Sequence, residues 1–446
     1  MNQIASTVKA PTQGRGASIS LSQRLYRTLW RWHFYAGLFC IPFVITLSVS
    51  GALYLFKPQF EAFTDRHWHN LTVQGQRIAV NEVIATAQAS LPGAQFLSYE
   101  LPSSPRDAAL VNLRFEGQKY QVYVHPYTGE VLSQVAFDQR FMRQVREFHG
   151  ELMAGRFGSI LVELAACWAV VLILTGLYLW WPRNAKGLAG VLYPRLRQSK
   201  RIFWRDLHAV VGIWLSAFAL FLIVSGLPWA MVWGGAFKEV RSWNKPVVQQ
   251  DWNQSRADEK KSWGPMAVDT VDISEQALAS IQALGFAPPV EVSVSNAQLN
   301  TLKVSSQNQN RPLRAEAWVD GRTGELLRQK PFADRPLVDR VIGVGISAHE
   351  GHLFGWFNQL LGVLVTLGLV FLSVTGTILW WRKKPAGRLG APASLPQHAV
   401  AKVVALVILA LGILLPIVGL SLLMLWLVEK LILRQIAFLR AWLGLA

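Results

Sequence analysis

Four histidines of this chain recur at fixed offsets, each at an end of a long apolar run. His33 and Gly37 are matched 175 residues later by His208 and Gly212, as Ser50-Gly51 is by Ser225-Gly226. An offset of 200 relates His149 to His349, Gly155 to Gly355, Thr175-Gly176 to Thr375-Gly376, and Trp180-Trp181 to Trp380-Trp381. Ionisable side chains near a membrane interior are costly, and a repeated set of them points to a site. Imidazoles on different helices, offered to the two sides of a flat ring, are the chemistry of an axially ligated haem. Two-fold repetition then predicts that His33 faces His208 and that His149 faces His349, giving two haems. His352 complicates the second pair. It follows His349 at three residues, its counterpart is Leu152, and it is either the ligand or a partner for a propionate or substrate.

The elements that must position these residues are membrane spans. The chain has 446 residues, 52% of them hydrophobic, with 19 Trp. Five apolar runs, at about 34–56, 157–181, 207–233, 353–381 and 403–428, reach the roughly 20 residues needed to cross a bilayer. The first is read as an uncleaved signal anchor. The net charge of +17 is concentrated in alternate connections. It sits in the arm 1–33 (Arg24, Arg27, Arg31), the loop 182–206 (including Arg183, Lys186, Arg195 and Arg201) and the loop 382–402 (Arg382, Lys383, Lys384, Arg388). Segments 57–156 and 234–352 are neutral, with ten and fourteen residues of each sign. By the positive-inside rule the arm and the Trp-Trp ends are cytoplasmic and the two large segments lie outside, and the pattern argues against nucleic acid. The inner pair is then His33 and His208, and the outer pair His149 and His349. His149 and Trp180 are 31 residues apart, about 46 Å in one unbroken helix, which would put the outer site at or beyond the headgroups.

Each outer segment reads as a helix followed by strands. Helices are expected at 81–90, with Asn81 as cap, and at 274–284. Strands are expected at 110–116 and 119–125, and near 290–295, 299–305 and 314–319; a Thr-Gly-Glu turn (128–130 and 323–325) leads in each half to a last strand. After residue 402 the fifth run is broken by Pro416 and followed by an amphipathic stretch from Lys430 to Trp442, within 429–446. This reads either as a kinked fifth span with an interfacial helix or as a sixth short span.

The closing motifs HPYTGEVL and VDGRTGELL resemble PepSY domains. WRWHFYAG, FHGELMAGRFG, TGLYLWWPR, RDLHAVVGIW, SAHEGHLFG and TGTILWWR resemble the PepSY-associated transmembrane family, over about residues 24–385. The implied fold is a polytopic α-helical membrane protein with duplicated transmembrane helix pairs, a four-helix core plus a C-terminal span, and two α+β periplasmic PepSY domains. Within that family the chain is similar to bacterial inner-membrane reductases of ferric siderophores, which carry haem b on helix histidines. The resemblance implies a ferric siderophore as periplasmic partner and the bacterial inner membrane as location. With no Gly-x-Gly-x-x-Gly stretch for a nicotinamide or flavin, the donor is a separate molecule, a cytoplasmic reductase or quinol. Two other readings stand beside it: a haem-bearing relay subunit for a partner enzyme, and a haem-free PepSY binding or regulatory protein.

Several residues carry two readings. Gly37 and Gly212 either clear space for a macrocycle beside their histidines or serve helix packing. Glu163, replaced by Val363 in the second half, either balances charge or carries a proton near the outer site, or sits hydrated and paired with Arg156. Arg143, Arg146, Arg156 and Arg340 are candidates for haem propionates or ordinary surface charges. His67 and His69 form an unrepeated His-x-His pair, His125 lies in a turn and His398 in a loop. Cys40 and Cys167 read as small core residues.

Overall fold

The computed structural model describes residues 20–183, 187–243, 268–391 and 401–445. Residues 244–267 of the second outer segment, with Lys186 and His398, lie outside the described residues. In chain order the helices are α1 (Leu21–Leu55), α2 (Lys57–Thr64), α3 (Val80–Ala89), α4 (Phe141–Glu151), α5 (Gly155–Trp180), α6 (Lys200–Gly226) and α7 (Val232–Ser242). They continue as α8 (Glu275–Ala283), α9 (Leu337–His349), α10 (Trp356–Lys383), α11 (Ala401–Leu414), α12 (Pro416–Val428) and α13 (Ala437–Leu443).

Helix α1 starts at a reciprocal cap, in which Ser20 accepts from the Gln23 N–H and the Gln23 side chain accepts from the Ser20 N–H. That satisfies two donors which the first turn would otherwise leave open. Five helical stretches among the described residues are long and apolar enough to cross a membrane: Ser22–Leu55, Gly155–Trp180, Lys200–Trp229, Trp356–Lys383 and Pro416–Leu433. This is a multi-pass membrane protein. Helices α1 and α6 each pack against both α5 and α10, and so occupy opposite corners of a four-helix bundle.

Above one end of the bundle lies a single antiparallel sheet in the order β4-β3-β2-β1-β5-β6-β7-β8. Its strands are β1 (Gln95–Glu100), β2 (Ala109–Phe115), β3 (Gln118–Val124), β4 (Val131–Ala136), β5 (Val290–Asn296), β6 (Thr301–Ser306), β7 (Ala315–Asp320) and β8 (Leu326–Pro331). Two outer domains were expected, with nothing said of how their strands meet; they do not stand as two sheets. Instead β1 pairs with β5, Tyr99 opposite Val292 and Glu100 opposite Glu291, so both segments share one sheet and one core. Alternation explains the layering, because successive strand side chains point to opposite faces. Val111, Leu113, Val122, Val292, Val304 and Val319 turn towards α3 and α8 and form that core. Ser98, Glu100, Asn112, Gln121 and Glu291 turn the other way. Asn81 is not a helix cap: its carbonyl accepts from Ile273 N–H at 2.9 Å and its amide donates to Asp272 at 3.0 Å, tying α3 to the second segment.

Two further expectations change. The run at 403–428 is neither one kinked span nor a span with a separate sixth. It is two helices, α11 and α12, folded back on each other at Leu415, where φ is −131° and ψ is 78°. Gly412 and Gly419 sit where they meet; a Cβ on Gly419 would lie 2.8 Å from Gly412 Cα. At about 21 Å, α11 is shorter than a hydrocarbon core. The returning α12 leads to α13, which docks beside α1 through Tyr35 Oη donating to Leu443 O (2.6 Å) and Arg31 donating to Gly444 O (3.3 Å).

Candidate functional site

The four repeated histidines share one local device. His33 Nδ1 lies 3.2 Å from Thr175 Oγ1 and 3.1 Å from Leu172 O, and His208 Nδ1 lies 3.0 Å from Thr375 Oγ1. At the other end of the bundle His149 Nδ1 is 2.9 Å from Ser50 Oγ, and His349 Nδ1 is 2.8 Å from Ser225 Oγ. Each hydroxyl also donates its own proton to a carbonyl one turn earlier: Thr175 to Val171 at 2.7 Å, Thr375 to Leu372 at 3.0 Å, Ser50 to Thr46 at 2.7 Å, Ser225 to Phe221 at 2.7 Å. A hydroxyl has one proton, so its oxygen must accept from the imidazole. Nδ1 therefore carries hydrogen in all four rings, and Nε2 keeps the lone pair a metal needs.

The glycine after each hydroxyl residue makes room for the ring. A Cβ would lie 3.0 Å from His33 Cε1 at Gly176, 3.2 Å from His149 at Gly51, 3.3 Å from His208 at Gly376, and 3.7 Å from His349 at Gly226. The repeated Ser-Gly and Thr-Gly pairs were visible in the sequence, but their role was not, because it depends on which helices adjoin. Gly37 and Gly212 look elsewhere. A Cβ there would meet Leu172 at 3.6 Å and Leu372 at 3.8 Å, ordinary contact with the neighbouring helix. Their smallness lets α1 approach α5, and α6 approach α10, one turn from the histidines.

His33 and His208 reach across the diagonal of the bundle. Their ring centres are 6.4 Å apart and their planes cross at 83°. A metal bonded at about 2 Å to one nitrogen of each ring, with each centre about 1 Å behind its nitrogen, would hold the centres roughly 6 Å apart. The spacing fits a single shared iron. Among the described residues no group of three or more His, Cys, Asp or Glu could hold a bare metal ion.

The outer histidines are closer to the inner ones than one straight helix implied. Leu152 and Met153 take left-handed φ of 51° and 57°, so α4 ends at Glu151 and a new helix starts at Gly155. His149 thereby folds back to Ser50, which lies 17 residues along α1 from His33, or about 25 Å. The second half breaks similarly at Gly351 and Gly355, with φ of 82° and 60°. His352 therefore lies beyond the end of α9; its N–H donates to Ser347 O at 2.7 Å. Its Nε2 is buried without a hydrogen-bond partner. Burial holds both His349 and His352 below the usual imidazole pKa, against the pull of Glu350. That direction favours the neutral imidazole, the form a metal ligand takes.

Around this outer level stands a charged network that the sequence reading missed. Arg311 is buried, donates to Glu350 at 2.8 Å and lies 5.7 Å from the Trp229 ring. Burial opposes ionisation of Glu350, but Arg311 prevails and holds its carboxyl below the usual range. Of the arginines expected here, Arg143 is buried beside Asp138 (3.3 Å), whereas Arg156 and Arg340 are exposed. Arg146 is close enough to act on the Glu350 charge. Nothing in the sequence distinguished Arg311 from other basic residues; only the fold brings it to α9.

Glu163 does not pair with Arg156. Its carboxylate accepts from Val232 N–H at 2.7 Å and Trp233 N–H at 2.8 Å, capping α7. A carboxylate there meets the positive end of the helix dipole, an interaction of about 0.3–2 kcal/mol. His67 lies against Trp68, His69 bonds Asp107 at 3.1 Å, and His125 Nδ1 accepts from the turn N–H groups of Tyr127 and Thr128. Both cysteines are buried and free.

A family model described as the PepSY-associated TM region matches residues 30–383. The chain belongs to that family. No curated protein sequence matches the chain.

Proposed function

From that membership, we propose that this protein moves electrons across a bacterial inner membrane on haem b and delivers them to a ferric siderophore outside. The observation that carries the reading is the His33–His208 pair, two facing imidazoles that both keep Nε2 free. His33 and His208 would hold an inner haem, and His149 with His349 an outer one. When bound, haem supplies reversible one-electron chemistry between Fe(III) and Fe(II). Thr175 and Thr375 fix the inner rings in place and make each imidazole a better donor; Ser50 and Ser225 do the same outside. Arg311 balances Glu350 beside His349, so the outer level carries a compensated pair and not a bare charge. The basic loops orient the Trp-Trp ends to the cytoplasm, and the sheet, built from the two PepSY-like segments of a duplicated chain, roofs the outer end. An acceptor that never enters the bilayer would meet electrons there, and reduction to Fe(II) weakens its hard oxygen ligation.

The test is an absorption spectrum of the full chain purified from membranes, before and after dithionite, followed by addition of a ferric siderophore. The expected result is a reduced haem b spectrum that reverts on addition. Absence of haem b would overturn the reading altogether. A reduced spectrum that the siderophore leaves unchanged would leave electron transfer standing and remove the siderophore from it.

A further inference from the structure

At the end of the bundle away from the sheet, a cleft of about 440 Å³ opens between the start of α6, the end of α10 and the first turns of α1. Four cations line it, Lys200, Arg201, Arg382 and Lys383, together with Trp30 and Trp204. Its size falls within the usual range for a small-molecule site.

Two of these charges are where helix electrostatics disfavours them. Arg382 and Lys383 close α10 and complement its negative end. Lys200 and Arg201 open α6, at its positive end, with no acidic residue in the first turn and no side-chain cap from Ser199. That helix end presents unsatisfied N–H groups beside two positive side chains, an arrangement that repels itself and attracts anions. Among the described residues no carboxylate pairs with these cations. The nearest one in sequence, Asp206, is held by Arg195 at 2.7 Å and Arg205 at 2.8 Å. None of the four lining cations makes an ion pair among the described residues, and Lys383 rests 5.5 Å from the Trp30 ring. All four are exposed and screened by solvent, so they stand open to an anion that enters the cleft.

We propose that this cleft binds a phosphate-bearing anion, with phosphate at the start of α6 and the tryptophans flanking the rest of the molecule. Two sources present that chemistry: a soluble phosphorylated ring compound such as a flavin nucleotide, and the headgroup of an acidic phospholipid. Trp30 and Trp204 stand three and four residues before His33 and His208, so the occupant lies about one helical turn from the inner histidine pair. The proposal rests on the cleft alone and stands whether or not haem is bound.

The full chain in detergent would be titrated with flavin mononucleotide, following flavin fluorescence, with riboflavin as the phosphate-free control. In parallel, native mass spectrometry would compare retention of phosphatidylglycerol and phosphatidylcholine. The doubly substituted K200Q/R201Q protein and the separate R382Q protein should each weaken binding by about tenfold or more. A monodisperse size-exclusion profile and an unchanged thermal melt serve as independent checks on folding. Flavin nucleotide binding that riboflavin does not reproduce, lost in the variants, assigns a soluble source. Selective retention of phosphatidylglycerol, lost in the variants, assigns a lipid. Binding of neither, or binding that both variants leave unchanged, overturns the proposal.

Discussion

The two ends of the bundle solve the same problem with different surroundings. At the inner end, His33 and His208 sit on threonines, in helices that run unbroken through the site, with their rings 6.4 Å apart. At the outer end, His149 and His349 sit on serines, at the last turns of short helices that left-handed residues separate from the spans. A third imidazole, His352, and the Arg311–Glu350 pair stand beside them. The first pair belongs to the spans themselves, with its cations about one turn away at the helix ends. The second belongs to the junction between bundle and sheet, with a charged pair directly beside it. Burial and nearby charge are the main levers on a haem potential, so under the proposed function the two sites should differ in potential even with identical ligands.

Removing a ligand breaks the comparison most severely. His33→Ala or His208→Ala should remove about half of the haem, measured as pyridine haemochromogen, and leave the outer spectrum intact. Loss of both haems from either variant would mean that the two levels are not independent. A sharper cut separates His349 from His352. His349→Ala should lose the outer haem, whereas His352→Ala should keep it and shift its midpoint potential in a redox titration. The opposite outcome would make His352 the ligand.

The hydroxyls come next. Thr375→Val keeps the shape but removes the acceptor for the His208 N–H, and should weaken inner haem retention by about 10–100-fold in a transfer assay to apomyoglobin. Ser225→Ala should do the same at the outer end only. Smaller still is the glycine series. Gly176→Ala puts a Cβ 3.0 Å from the His33 ring and should perturb the inner spectrum, while Gly226→Ala, at 3.7 Å from His349, should be tolerated. Equal effects would show that ring clearance is not the glycine's role.

The smallest expected effect lies at the seam of the sheet. Burial, reinforced by Glu291 opposite, raises the Glu100 carboxyl from 4.5 to about 7. Between those values the folded chain binds the extra proton, so stability falls as pH rises through that window and levels off above it. Glu100→Gln should flatten the dependence, worth about 1–3 kcal/mol at most, in melts between pH 5 and 8.

The spans, the charged loops and most strands could be read from composition and periodicity, because each is a local pattern repeated over many residues. The histidines could be found because they recur. What could not be found depends on contacts between distant segments. Strand β1 shows no clean alternation: Ser98 and Tyr99 are adjacent and both buried, just past a shift in register between Phe96 and Ser98. Its pairing with β5, which merges the two outer segments, leaves no mark on either stretch. The fold-back at Leu415 hides inside an apolar run that hydropathy cannot divide. Glu163 kept two readings because nothing in sequence showed that α7 would begin beside it.

The docking of α13 has a consequence for the order in which the protein is made. Arg31 and Tyr35 flank His33 and hold backbone carbonyls of Leu443 and Gly444, partners more than 400 residues later in synthesis. Until those residues have been translated and inserted, the flank of α1 beside the inner histidine stays uncovered. The flank of α1 beside His33 is therefore completed by the last part of the chain to be made.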